Sequence, residues 1–197
     1  MTANWSGNPA TWANGGLTAA SLNTELRDRM DYLKAAADLH GLASAVTIGQ
    51  VKSALCGVRA LRTASQSIPD ANPTFVQLTA ADEFDSNAFH DPAVNSTRIT
   101  IPAGLGGVYL FGGSVEWASN GTGRRLAEVI LNGGSAILGA KSQIAAATGA
   151  PTRQDTGATV YLFVAGDRIE MNVTQNSGGA LSLDTAVLWA VRLFATV

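Results

Sequence analysis

Four carboxylates crowd one short stretch of this 197-residue chain: Asp82, Glu83, Asp85 and Asp91, with His90 beside the last. Hard cations take several oxygen ligands at once, so such a cluster can hold a structural Ca2+. The spacing is not that of an EF-hand loop, which favours a plainer reading, a solvated acidic loop, with the calcium reading kept beside it. The two histidines, His40 and His90, stand far apart in the sequence with no nucleophile motif near either, and both read as surface groups. Cys56, the single cysteine, sits in the apolar run ALCGV; it has no partner for a disulfide and suits a buried, inert thiol. Gly104, Gly106 and Gly107 precede a strand and lack a phosphate-loop pattern. Nothing marks the pair of carboxylates that glycan hydrolysis requires. These residues predict no catalytic site, no cofactor site and no enzyme.

The composition narrows the class further. Hydrophobic residues make up 46% of the chain, enough for a packed core, whereas charged residues make up only 14%. So little charge hints at a surface covered by copies of the chain or by partners. Net charge is −2, and the densest basic spot is the pair Arg124-Arg125, read as a solvated strand end; no nucleic-acid footprint is visible. No apolar run reaches the length of a membrane span, and the first residues show no secretory signal.

The elements that must position these residues fall into two parts, with a boundary expected near residue 50. Residues 1–50 form an expected attachment segment. Residues 1–16 are polar and turn-rich, yet they include Trp5 and Trp12, which so short a stretch cannot bury by itself. Both tryptophans are read as anchors onto another subunit or partner, with packing on the chain's own helix as the alternative. A helix is expected over about 18–38: Thr18 is a suitable N-cap, and Leu22, Leu26, Met30, Leu33 and Ala37 form one apolar stripe. A helix of this length is marginal alone, so the stripe needs a surface to lie against.

Residues 51–197 read as strands and turns only. Expected strands cover 55–63, 74–78, 97–101, 107–119, 124–131, 135–147, 156–164, 168–175 and 181–195, each bounded by turn signals such as Asn120-Gly121, Asn132-Gly133 and Gly178-Gly179. In 107–119, Tyr109, Phe111, Val115 and Trp117 fall on one face and Val108, Leu110, Ser114 and Glu116 on the other. The stretch from Val160 to Ser177 reads as a hairpin through Ala165-Gly166-Asp167. Its first strand, an unbroken apolar run, is expected to be buried on both faces; its second alternates and is expected to be half exposed. The fold class is therefore mainly β, an antiparallel two-layer sandwich preceded by one N-terminal α-helix.

The order of these segments resembles the head domain of the C1q and tumour necrosis factor superfamily. The residues that carry the resemblance are Ile101-Pro102, Gly107 to Phe111, Leu131-Asn132-Gly133, Val160-Tyr161-Leu162, Ala165 to Ile169 and Gly178-Gly179, with Phe84 and Phe89 in the acidic loop before them. It covers about residues 54–197 and implies a jelly roll that packs as a homotrimer. It further implies that some of the strand aromatics Tyr109, Phe111, Tyr161, Phe163 and Trp189, whose default place is the core, line a threefold interface. A second resemblance covers residues 5–33. Trp12, Gly16, Leu17 to Ala20, Leu22-Asn23, Leu26-Arg27-Asp28 and Tyr32-Leu33 look like the N-terminal segment of many tailed-bacteriophage virion proteins. That implies attachment to the particle through Trp5, Trp12, Leu22, Leu26, Met30 and Leu33.

Together these readings predict a bacteriophage virion structural protein: a trimeric tail-fibre or appendage knob that contacts other virion proteins through residues 1–40 and presents a β head for host adsorption to a surface glycan or protein. The long shaft of a fibre is missing between helix and head, which keeps a capsid decoration protein, or head fibre, as the alternative. The expected location is the virion.

Overall fold

The computed structural model describes Thr24, residues 27–32 and residues 56–195. The chain divides into two compact units, Met1–Gly49 and Gln50–Val197. In the first, Thr24 and residues 27–32 are helical; the remainder of the helix expected over 18–38 lies outside the described residues. No helix among the described residues is long and apolar enough to cross a membrane.

The second unit is built from β1 (Gly57–Arg62), β2 (Gln66–Ile68), β3 (Thr74–Phe75), β4 (Phe84–Asp85), β5 (Arg98–Thr100), β6 (Gly107–Trp117), β7 (Arg124–Leu131), β8 (Ala136–Ala145), β9 (Thr152–Phe163), β10 (Arg168–Gln175) and β11 (Leu181–Ala195). A six-stranded sheet runs β4-β1-β11-β6-β9, with β2 also on β11. A five-stranded sheet runs β3-β10-β7-β8, with β5 also on β10. All strand pairs are antiparallel.

Alternation along each strand sends one set of side chains between the sheets. The six-stranded sheet contributes Val58, Ala60, Tyr109, Phe111, Val115, Trp117, Phe163, Leu183, Leu188 and Ala190. The five-stranded sheet contributes Ala127, Val129, Ile169, Met171 and Val173. All of these are buried. A polar plug sits among them. Arg125 is fully buried, and its guanidinium donates to the carbonyls of Asn120, Thr122 and Arg124 at 3.0 to 3.1 Å while lying 5.8 Å from the Trp117 ring. Gln154 accepts from Trp117 Nε1 at 3.2 Å and donates to the Ser142 carbonyl at 2.7 Å. Arg125 is therefore no solvated strand end: it ties down the crossing from β6 to β7 from inside.

Two expectations are corrected by the topology. The apolar stretch from Val160 and the alternating stretch from Arg168 do not form a hairpin, because β9 pairs with β6 and β10 pairs with β7. The Ala165–Asp167 turn carries the chain from one sheet to the other. The burial is also reversed: Ile169 to Val173 are all buried, whereas Val160 and Leu162 on the apolar run are 53% and 52% exposed. Asn120-Gly121 likewise crosses between sheets. Asn132-Gly133 does close a hairpin, β7 to β8, with φ of 54° and 70° as a two-residue primed turn requires.

Candidate functional site: an uncovered apolar sheet face

The outward face of the six-stranded sheet is built from the positions between the core residues. On β11 these are Val187, Trp189 and Val191; on β6, Val108, Leu110, Gly112 and Ser114; on β9, Ala158, Val160 and Leu162; on β1, Leu61. The ladder registers arrange them in rows. Phe194 stands opposite Val108 and Val108 opposite Leu162. In the next row Val191 faces Leu110, which faces Val160. The third runs Arg59, Trp189, Gly112, Ala158. Beyond it come Leu61, Val187 and Ser114 opposite Asp155, and then Thr185, Glu116 and Arg153. The face is thus aliphatic at the end near the Ala165–Asp167 turn and charged at the other.

Local sequence makes this face flat at its centre. The Trp189 indole lies over Gly112, where an added Cβ would come within 3.0 Å of the ring and 2.7 Å of the Gly157 carbonyl. A glycine in a strand interior marks such close approach. Near the aliphatic end, Val164, Leu193 and Phe194 are 61%, 46% and 58% exposed. Leu193 sits at a register shift in the β11–β6 ladder, between Arg192 and Phe194. Large aliphatic and aromatic side chains are contiguous here over neighbouring strands, the kind of surface that marks an interaction site. The rim has its own polar contacts: Arg59 pairs with Glu83, and Arg153 stands 4.0 Å from Asp155.

Of the aromatics expected at a threefold interface, Tyr109, Phe111 and Phe163 are corrected to the core. They have no exposed surface and stack edge to face inside the sandwich, with ring centroids 5.7 Å (Tyr109–Phe163) and 5.4 Å (Phe111–Phe163) apart. Their strand positions point between the sheets, out of reach of a second chain. Tyr161 is half-buried and packs against that core. Trp189 alone of the five lies on the outer face. The aliphatic positions around it (Val108, Leu110, Val160, Leu162, Val187, Val191) were not singled out from the sequence. The available signal was the apolar character of Val108 and Leu110 on the side of β6 turned away from the aromatic core. On the first unit, Met30 is exposed on the helical residues 27–32. Trp5, Trp12, Leu22, Leu26 and Leu33 lie outside the described residues.

The acidic loop is organised around its own backbone. Asp85 accepts from the N–H groups of Asn87, Phe89 and His90 at 2.9 to 3.1 Å. Asp91 Oδ1 accepts from Ala93 and Val94 at 2.9 and 3.2 Å. His90, read from the sequence as a surface group, is buried; its ring Nδ1 is 2.8 Å from Asp82 Oδ1. A carboxylate can only accept, so Nδ1 carries the proton of that bond. Cys56 is buried. Burial pushes the Tyr109 phenol well above the usual tyrosine range, and its hydroxyl donates to the Leu105 carbonyl at 2.6 Å. Burial also lowers the guanidinium of Arg125 from the ordinary arginine value.

No family model matches the chain, and no curated protein matches it. Solved structures do. The globular domain of zebrafish complement 1qA protein superimposes with a TM-score of 0.53 at 14% identity over 72% of this chain and 99% of that one. Eiger TNF from S. frugiperda gives 0.53 at 12% identity over 73% and 96%. Murine APRIL at pH 8.0 gives 0.52 at 16% identity over 71% and 99%. The fold of the second unit is therefore the C1q/TNF-like jelly roll, as its strand order led one to expect.

Proposed function

We propose that this chain is a bacteriophage virion structural protein: a homotrimeric tail-fibre or appendage knob whose first residues fasten it to the particle and whose β head meets the host surface. The observation that carries the reading is the apolar outer face of β1, β11, β6 and β9. Three copies arranged about one axis would cover the rows through Leu110, Val160, Leu162, Val191 and Trp189, and each protomer would leave the polar outer face of its second sheet in water. A closed threefold ring satisfies every such face at once and leaves no open end for further copies. Function is then assembly and adhesion, with no bond made or broken. The virion part rests on the N-terminal pattern through Trp12, Leu17 to Ala20 and Leu26-Arg27-Asp28, and on two tryptophans in a segment too short to bury them.

A second location, capsid decoration, is favoured by the short stretch between the expected helix and β1, which leaves no room for a fibre shaft. Deleting residues 1–40 is expected to give soluble trimers by light scattering that no longer join virions. A monomer, or retained incorporation, overturns the reading. Gold-labelled antibody against the head then separates tail from shell. Purified head that blocks host adsorption assigns the tail; an absence of blocking with label on the shell assigns decoration.

A further inference from the structure

We propose that the cleft between the crossing segment 86–97 and β5 is a binding site for a singly charged, hydroxylated carboxylate, the chemistry of an acidic sugar. This assignment stands on the cleft alone and does not need the virion reading. β4 belongs to the six-stranded sheet and β5 to the five-stranded one, so the segment between them must cross the end of the sandwich. There it bounds a cavity of about 460 Å³, lined among others by His90, Asp91, Pro92, Asn95, Arg98 and Thr100. That volume lies in the range of small-molecule sites.

The wall is fixed before any ligand arrives. Asp85 and Asp91 hold successive backbone N–H groups, as above; Thr100 N–H donates to the Phe89 carbonyl at 2.8 Å and Arg98 N–H to the Asn95 carbonyl at 3.2 Å. Ala88, also on the cavity, takes a positive φ of 58°, a conformation that costs free energy in a residue with a Cβ.

Against this ordered backbone the side chains are left with unused polar groups. His90 has Nδ1 on Asp82, while its buried Nε2 has no partner. Arg98 has a buried Nε without a partner, and its guanidinium makes no ion pair or side-chain hydrogen bond among the described residues. Other buried arginines with an unpartnered Nε differ here. Arg62 donates to the Gln77 and Ser65 carbonyls, and Arg125 to those around its turn. Glu170 stands opposite Arg98 in the ladder, but its carboxylate is taken by Arg168 at 3.3 Å. The Asn95 amide and Thr100 hydroxyl likewise make no side-chain hydrogen bond among the described residues. A buried polar group without a partner is costly, and two such atoms, His90 Nε2 and Arg98 Nε, belong to residues on this cavity, beside the half-buried Asn95 and Thr100.

The charge balance selects the ligand class. Arg98 is a cation on the cavity, Asp91 is a carboxylate there and Glu170 stands opposite Arg98 in the ladder, so a doubly charged phosphate is disfavoured and the guanidinium is left for at most a monoanion. The planar guanidinium fork matches a carboxylate. Asn95 and Thr100 can both donate and accept, which suits the hydroxyls of a sugar. Pro92 offers an apolar surface for the C–H side of a sugar ring.

The test uses the full chain, titrated with D-glucuronate, D-glucose and acetate while amide NMR shifts of 86–100 are followed. Glucuronate is expected to bind, with glucose and acetate each at least about tenfold weaker, since a hydrogen bond to a charged group is worth that factor or more. Arg98→Gln should weaken glucuronate by a similar factor with unchanged circular dichroism and oligomeric mass; Thr100→Val should weaken it less. No glucuronate shifts at millimolar concentration, equal affinity for acetate, or an unaffected Arg98→Gln protein overturns the assignment. Oligoglucuronate binding more tightly than the monomer places the source on a polymeric glycan; equal affinity places it on a free hydroxy acid.

Discussion

The two sheets of the head share one core but differ on their outer faces. The five-stranded sheet turns Glu170, Asn172 and Thr174 of β10, Glu128 of β7 and Lys141 of β8 away from the core, with Lys141 and Glu128 paired at 3.1 Å. The six-stranded sheet turns Val108, Leu110, Val160, Leu162, Val187, Trp189 and Val191 outward. Antiparallel sheets in sandwiches ordinarily alternate apolar in and polar out. The first sheet follows that rule in part, for Ile130 lies beside a buried Glu170 on its outer face and Leu138 is exposed, whereas the second breaks it over three adjacent strands. Identical backbone pairing thus carries two different outer faces, and the apolar one is the face proposed above to meet other copies of the chain.

The largest expected effect breaks that contrast directly. Leu110→Asp combined with Val160→Asp puts charges where the proposed interface would desolvate them. An unpaired buried charge costs roughly 3–5 kcal/mol, and a closed trimer repeats the cost in each copy. Light scattering should then report monomers with unchanged circular dichroism. Gln143→Glu on β8, an exposed position of the other sheet, should leave the mass of the assembly as it was. Equal behaviour of the two variants would remove the functional distinction between the faces.

A core variant sharpens the comparison by separating loss of fold from loss of association. Arg125→Ala removes the donor for the carbonyls of Asn120, Thr122 and Arg124 and opens space beside Trp117. A hydrogen bond to a charged group contributes about 1.5–3 kcal/mol, and three are lost together with packing on Trp117, so urea unfolding should show a loss of about 3 kcal/mol or more. Both faces should fail together there, whereas the charge pair at Leu110 and Val160 affects one alone. Smaller again is Gly112→Ala. Its Cβ would meet the Gly157 carbonyl and the Trp189 indole, and such overpacking costs about 1–3 kcal/mol. Displacement of the indole should show as a change in tryptophan fluorescence together with weaker association.

Much of this contrast was legible before the structure. The strands from Arg124, Arg168 and Leu181 begin and end as their alternation and turn residues indicate, and the faces of β6 separate Tyr109, Phe111, Val115 and Trp117 from Val108, Leu110, Ser114 and Glu116 as read. What was misplaced was pairing. Ala165-Gly166-Asp167 looks like a hairpin because a turn signal fixes local direction only; whether the next strand pairs with the last or crosses to the other sheet is decided by distant partners, here β6 for β9 and β7 for β10. The same error hid the site. A continuous apolar run has two physical causes, burial within one chain and burial between chains, and periodicity cannot separate them. Aromatics drew the interface expectation because of their size, yet size sends Tyr109, Phe111 and Phe163 to the sandwich centre. The buried His90 could not be read either, since Asp82 sits in a run of acids with nothing in its spacing to single it out.

The smallest effect tests the inner side of the same ladder. Tyr109 and Tyr161 stand directly opposite each other on β6 and β9, yet Tyr109 is wholly buried and Tyr161 only partly. Burial raises the Tyr109 phenol in the folded head above its unfolded value of about 10. The neutral form is therefore bound more tightly by the native state. Its contribution is complete below about pH 10 and is lost as pH climbs beyond that, because the unfolded chain gives up the proton first. Tyr109→Phe removes the hydrogen bond to the Leu105 carbonyl, which costs about 1 kcal/mol near neutrality. It also removes the titration. Unfolding free energies of the two proteins, measured from pH 8 to 11.5, should therefore converge as the medium becomes alkaline and then cross, since the wild type loses about 1.4 kcal/mol per pH unit above about pH 10. A constant gap across that range would mean that the phenol is not held apart from solvent, and the inner face would then be less dry than its packing implies.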